Sequence, residues 1–146
     1  MTLQEILSVK GNVVYTVTPE ATLGEAVRTL TEHNIGALLV CQQDPIEGEQ
    51  LAGIITERDL LHCLAAGKCD LGATRVAEVM TATLITASLA DTVETIMGVM
   101  TDRRIRHVPV IAGGRLVGMV SIGDLIKAQH DNMAVENRFM RDYIQG

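Results

Sequence analysis

Apolar residues fall at helical spacing at Leu23, Ala26, Val27 and Leu30, and the same spacing returns 70 residues later at Val93, Ile96, Met97 and Met100. Each set predicts one amphipathic helix. Thr22 followed three residues on by Glu25 predicts a capping box at the first helix start, and either Asp91 or Thr92 is positioned to cap the second. Behind each helix comes a short aliphatic run, IGALLV at 35–40 or IRHVPV at 105–110, with the composition of a buried strand. A polar turn is expected at residues 42–50 in one place and at AGGR, 112–115, in the other. LAGII and LVGMV then predict neighbouring strands, and further helices open near Glu57 and Ile122. The pattern therefore spells strand, helix, strand, strand, helix, twice.

The duplication is residue by residue. A shift of 70 pairs Thr16 with Thr86, Thr22 with Thr92, Ile35 with Ile105 and Val40 with Val110. Past the turn the shift becomes 65, pairing Leu51 with Leu116, Gly53 with Gly118, Asp59 with Asp124 and Leu60 with Leu125. The extra residues of the first copy belong to the loop QQDPIEGEQ, where an insertion costs little. A half of about 60 residues buries little surface alone, so the two are expected to pack as a pseudo-twofold pair in an α+β fold. The expected division is residues 1–74 for the first repeat with a short N-terminal helix, 75–130 for the second repeat, and 131–146 for a helical tail. LQEIL at 3–7 starts the N-terminal helix, which stops at Lys10-Gly11 with the glycine in a left-handed C-cap. From Lys127 to Ile144 the helix is polar with a sparse apolar face of Val135, Phe139, Tyr143 and Ile144, which docks either on the body or on a second chain.

Composition narrows the function classes. The chain has 146 residues, 47% of them hydrophobic, enough for a core without disulfides. A net charge of −6 and 2% aromatic residues argue against a nucleic-acid surface. No run approaches the roughly 18 apolar residues of a membrane span, and MTLQEILSVKG lacks the pattern of a secretory signal, so a cytoplasmic protein without membrane association is expected. Cys41, Cys63 and Cys69 form no C-x-x-C pair, and His62-Cys63 with Cys69 has the spacing of no recognised metal site. No nucleophile is accompanied by a base and an orienting group, so neither a catalytic residue nor a catalytic cofactor is expected.

One phrase carries chemistry. GIITERDLL at 53–61 and GMVSIGDLI at 118–126 each place a hydroxyl residue three positions before an aspartate, where a strand ends and a helix begins. That spacing predicts a capping box. It also suits a nucleotide: helix-terminal N–H groups favour phosphate, a glycine lets a ligand approach, and a carboxylate accepts hydrogen bonds from a ribose diol.

These tandem G-h-h-[ST]-x-x-D phrases, with IRHVPV before the second, resemble the cystathionine-β-synthase-type repeat, the CBS domain, over residues 10–130. The resemblance implies two β-α-β-β-α units packed through their sheets and clefts that bind AMP, ADP, ATP, S-adenosylmethionine or NAD(H). It implies a homodimer and a regulatory role toward an unidentified protein target, or a structural dimer with vestigial clefts. Carried over by residue, one cleft uses Thr56, Arg58 and Asp59 with Thr83, Leu84, Ile105, Arg106, His107 and Pro109. The other uses Ser121 and Asp124 with Asn12, Val13, Val14, Tyr15, Ile35, Gly36 and Ala37. Arg106 and His107 stand where the family often puts phosphate ligands, whereas Gly36 and Ala37 replace them in the first copy, so the clefts are expected to differ in appetite. Arg106 has a plainer reading as a solvated residue beside Arg103 and Arg104.

Overall fold

A computed structural model describes residues 1–145. Its α+β fold has helices α1 (Leu3–Lys10), α2 (Leu23–His33), α3 (Glu57–Ala65), α4 (Val76–Val79), α5 (Val93–Arg103) and α6 (Ile122–Gln145). The strands are β1 (Thr16–Val17), β2 (Ala37–Asp44), β3 (Gly48–Thr56), β4 (His107–Ala112) and β5 (Arg115–Ser121).

The chain forms two compact units, one spanning Val13–Ile85 and the other combining Met1–Asn12 with the chain from Thr86 onward. In the first, β1 runs parallel to β2 and β2 antiparallel to β3. Leu23, Ala26 and Leu30 on one stripe of α2 pack with Leu38, Val40, Ile55, Leu60 and Val76. In the second, β4 and β5 form an antiparallel pair. Val93, Ile96 and Met100 of α5 pack with Val108, Val110, Val120 and Leu125, and also with Leu3, Ile6 and Leu7 of α1. The helix expected to accompany repeat 1 thus belongs by packing to the unit built on repeat 2. Backbone bonds fix it there: Leu3 N–H donates to Asp91 O at 2.9 Å, and Val93 N–H to Met1 O at 3.0 Å.

The first unit receives its own leader in the same way. Leu23 N–H donates to Thr74 O at 2.9 Å, and Val76, fully buried, fills the place that Leu3 fills in the other unit. Each core is closed by the short helix that precedes the other repeat in sequence, an exchange that the linear boundary at residue 74 does not capture.

Local signals explain the helix ends. Thr2, Thr22 and Thr56 each accept the N–H of the third residue onward, with that residue's carboxylate returning to the cap N–H. Of the two candidates for α5, Thr92 is the cap, accepting Thr95 N–H at 3.2 Å, while Asp91 accepts Ser88 N–H at 2.8 Å. Helices α2 and α5 end on Asn34 and Arg104, both left-handed, at φ 51° and 56°. Gly11 ends α1 at φ 97°, ψ 167°, a conformation glycine tolerates but not the left-handed helical one expected.

Two elements differ from the sequence pattern. Residues 42–50 are mostly strand, because the hairpin extends through Gln42↔Gln50, Gln43↔Glu49 and Asp44↔Gly48. Both faces of that extension are solvated, so no apolar alternation marks it. Asp44 closes the turn, accepting Ile46 N–H at 2.8 Å and Glu47 N–H at 3.0 Å. In the second copy the leading strand shrinks to one parallel bridge, Ala87↔Val110.

Candidate functional site

Each copy of the repeated phrase occupies a strand-to-helix corner. At the first, Asp59 Oδ2 accepts Thr56 N–H at 2.9 Å and the Thr56 hydroxyl at 3.1 Å, and Asp59 N–H donates to Thr56 Oγ1 at 3.3 Å. Asp59 Oδ1 accepts the Thr81 hydroxyl at 3.3 Å, longer than a strong O–H···O bond. At the second, Asp124 Oδ2 accepts Ser121 N–H at 2.8 Å and Asp124 N–H donates to Ser121 Oγ at 3.1 Å. Here Lys10 Nζ adds an ion pair at 2.6 Å to the same carboxylate oxygen and donates to Met119 O at 2.7 Å.

The helix-terminal amides proposed as a phosphate seat are narrower than the sequence suggests. Glu57 N–H donates to Gly36 O at 3.1 Å, and Ile122 N–H to Arg106 O at 2.8 Å, so the first amide of each helix already has a partner in its own unit. The third amide is taken by the cap hydroxyl. What each corner presents is therefore a carboxylate fixed on one oxygen by its own turn.

The glycines of the phrases lie against the leader segments. A Cβ on Gly53 meets Met80 Sδ and Thr81 O, each at 2.8 Å, and a Cβ on Gly118 meets Leu7 Cδ1 at 2.8 Å. Close approach is required, and within each unit the leader segment makes it. Both glycines also lie at bulges, between Val40 and Cys41 and between Val110 and Ile111 of the facing strands, consistent with glycine inside a strand.

The ion pair with Lys10 sets the electrostatics of the Asp124 corner. Burial pushes the Asp124 pKa up, but hydrogen bonds from Lys10 and Ser121 and the Lys10 charge outweigh it and hold the pKa below its ordinary value. Among the free thiols, burial and the neighbouring Glu49 push Cys41 up to about 12. Burial and the Cys63 thiol beside it push Cys69 up as well. A raised thiol is a poor nucleophile, so nothing in these groups activates sulfur. Among the described residues no three His, Cys, Asp or Glu side chains gather as a metal site, and no helix is long and apolar enough to cross a membrane.

The remaining predicted residues divide between the units. Thr56, Arg58, Asp59, Thr83 and Leu84 lie in the unit spanning Val13–Ile85, whereas Ile105, Arg106, His107 and Pro109 lie in the other. Arg106 is exposed, Ile105 and His107 are partly buried, and Pro109 is buried in β4. Of the second set, Asn12, Ser121 and Asp124 share one unit, and Val13, Val14, Tyr15, Ile35, Gly36 and Ala37 share the other. Tyr15 stacks on His33 with ring centroids 3.7 Å apart and planes 17° apart. Lys10, Thr81 and His33 escaped the sequence reading. Lys10 and Thr81 reach their carboxylates through the exchanged leaders, which no local periodicity reveals, although Thr81 sits only two residues before the predicted Thr83.

Comparisons with known proteins agree on the family. The CBS domain model matches twice, at residues 5–66 and 76–131. The mitochondrial CBS domain-containing protein CBSX3 of Arabidopsis thaliana is 42% identical over 131 residues, 88% of this chain, and the chain spans 63% of that protein's length. The CBS domain-containing protein YhcV of Bacillus subtilis is 34% identical, with 82% of this chain and 81% of the relative aligned. A crystal structure of a CBS-domain protein from Agrobacterium tumefaciens superposes with a TM-score of 0.82 at 38% identity, covering 88% of this chain and 99% of that one. The CBS domain pair of protein MJ0100, solved with 5′-methylthioadenosine and S-adenosyl-L-methionine, superposes with a TM-score of 0.77 at 27% identity, covering 90% and 98%.

Proposed function

This chain belongs to the CBS-domain family, and on that premise we propose that it is a regulatory binding module for an adenosine-containing ligand, not an enzyme. The observation that carries the reading is the Asp59 corner. Its Oδ2 is committed to the turn while its Oδ1 accepts one long bond, at 3.3 Å, from the Thr81 hydroxyl, a bond that a ribose diol can replace with two of its own. The MJ0100 neighbour, with S-adenosyl-L-methionine and 5′-methylthioadenosine bound, supports the ligand class. AMP, ADP, ATP and NAD(H) belong to the same class, and ligand binding is proposed to change the protein's conformation or a partner's activity.

Mass spectrometry of ligand carried through native purification tests the reading. An adenosine compound released from the wild-type protein and missing from Asp59→Asn supports it; equal recovery from both contradicts it. The pairing of Arg106 and His107 with this corner is part of the same proposal and rests on the family resemblance. Arg106→Ala is expected to weaken AMP binding while sparing S-adenosyl-L-methionine, which carries no phosphate.

Self-association and cytoplasmic residence are further parts of the proposal. The exposed side chains of Val135, Phe139, Met140 and Tyr143 on α6 favour a role in contacts with a second copy or a target protein. A neighbour described as hexameric CBS-CP12 supports assembly in the family. Because CBSX3 is a mitochondrial protein, fractionation of the native host decides the compartment.

A further inference from the structure

The two corners are built alike except for what the exchanged leader delivers to the aspartate. Met80 covers Gly53 as Leu7 covers Gly118, so the leaders superimpose in role at that point. Beyond it they diverge. Helix α4 ends at Val79, and Met80–Thr81 turns extended, with Thr81 exchanging backbone bonds with Ile54 at 2.8 and 2.9 Å. That leaves a hydroxyl 3.3 Å from Asp59 Oδ1. Helix α1 instead continues for eight residues to Lys10, carrying an ammonium to within 2.6 Å of Asp124 Oδ2 and 2.7 Å of Met119 O. Both members of this pair are partly shielded, with side-chain exposures of 36% and 25%. A short bond between two ions at a partly buried site is stronger than a long one from a neutral donor.

We infer that Lys10 decides the order in which the two corners are used: its ammonium pairs with Asp124 through Oδ2, the oxygen already held by the turn, and so weakens the whole carboxylate as an acceptor for a ligand's hydroxyls, leaving the Asp59 corner to take the first ligand. This deepens the reading of the corners as ribose seats and rests on it. Lys10 reaches Met119 O of β5 with its ammonium, so replacing that ammonium by an apolar tip of similar length removes the charge while keeping the helix. Pairing with the ammonium is worth about a tenfold or greater difference in dissociation constant between the corners, from the difference between hydrogen bonds to charged and to neutral groups.

Isothermal titration calorimetry with AMP and with S-adenosyl-L-methionine tests the inference on four proteins: wild type, Lys10→Met, Asp59→Asn and the double variant. The wild type is expected to show one strong event, lost in Asp59→Asn. Lys10→Met is expected to strengthen or reveal a second event about tenfold or more, and the double variant to keep that event alone. Lys10→Gln, which also lacks the charge, is expected to behave as Lys10→Met does, which covers the case in which methionine perturbs α1. Two equal events in the wild type, or a second event unchanged or weakened by removal of the charge, overturn the inference while leaving the binding reading intact. Absence of binding in every protein overturns both.

Discussion

Thr56 and Thr22 make nearly the same cap, yet only one of them is proposed to touch a ligand. Each accepts the N–H of the residue three positions on, at 3.3 Å for Thr56 and 3.2 Å for Thr22. Replacing either by alanine is therefore expected to lower stability by about 1 kcal/mol, measured by urea denaturation. Thr56→Ala alone is expected also to weaken nucleotide binding; loss of binding in Thr22→Ala as well would point to global instability instead. Asp124 supplies a pH prediction. Its carboxyl is held below the ordinary aspartate value by Lys10 and Ser121, so its stabilising contribution is present above about pH 4 and is lost as acid carries the pH through the lowered folded-state value. The stability difference between wild type and Lys10→Met should be constant from pH 7 to about 5 and shrink toward zero in stronger acid. A difference that grows in acid would refute the assignment.

Among the elements, the leaders govern packing in a way their sequence position hides. Leu3 is fully buried although it is the third residue of the chain, whereas Val9 on the same helix is 90% exposed. Leu3→Ala is expected to destabilise by about 2–4 kcal/mol and Val9→Ala by less than about 0.5 kcal/mol, read from denaturation midpoints. The glycines give a second comparison. Gly53→Ala sets a methyl against the backbone oxygen of Thr81, while Gly118→Ala meets the flexible end of Leu7. Gly53→Ala should be the more damaging, with overpacking costs of about 1–3 kcal/mol, and equal effects would argue against a rigid leader.

The α2 and α5 stripes, the caps at Thr22, Thr56 and Ser121, and the strands ending at Thr56 and Ser121 were legible because local periodicity and capping chemistry determine them. The hairpin extension at 42–50 was not, since a strand solvated on both faces carries no alternation. Nor was the Lys10–Asp124 pair, which joins residues 114 positions apart through an exchange of helices. The corner aspartates were found by spacing alone; the groups that compete for them required three dimensions.

For the whole molecule, stability and function meet in the two units. Each has its own apolar cluster, and from Met133 to Ile144 the large apolar side chains of α6 are exposed. Truncation after His130 is therefore expected to leave both cores folded, with a melting temperature within a few degrees of the intact chain, and to reduce self-association in light scattering. Collapse of the truncated protein would contradict the view of the tail as an interaction element. The binding reading makes a stronger demand, because a ligand that binds only the folded state must stabilise it by mass action. Thermal denaturation with AMP, ATP, NADH and S-adenosyl-L-methionine, each at millimolar concentration, tests this on wild type and Asp59→Asn together. At about a hundred times its dissociation constant, one of these ligands should add about 2.7 kcal/mol to the stability of the wild type and far less to that of Asp59→Asn. No shift with any of the four, or the same shift in both proteins, would contradict the assignment of the Asp59 corner as an adenosine site.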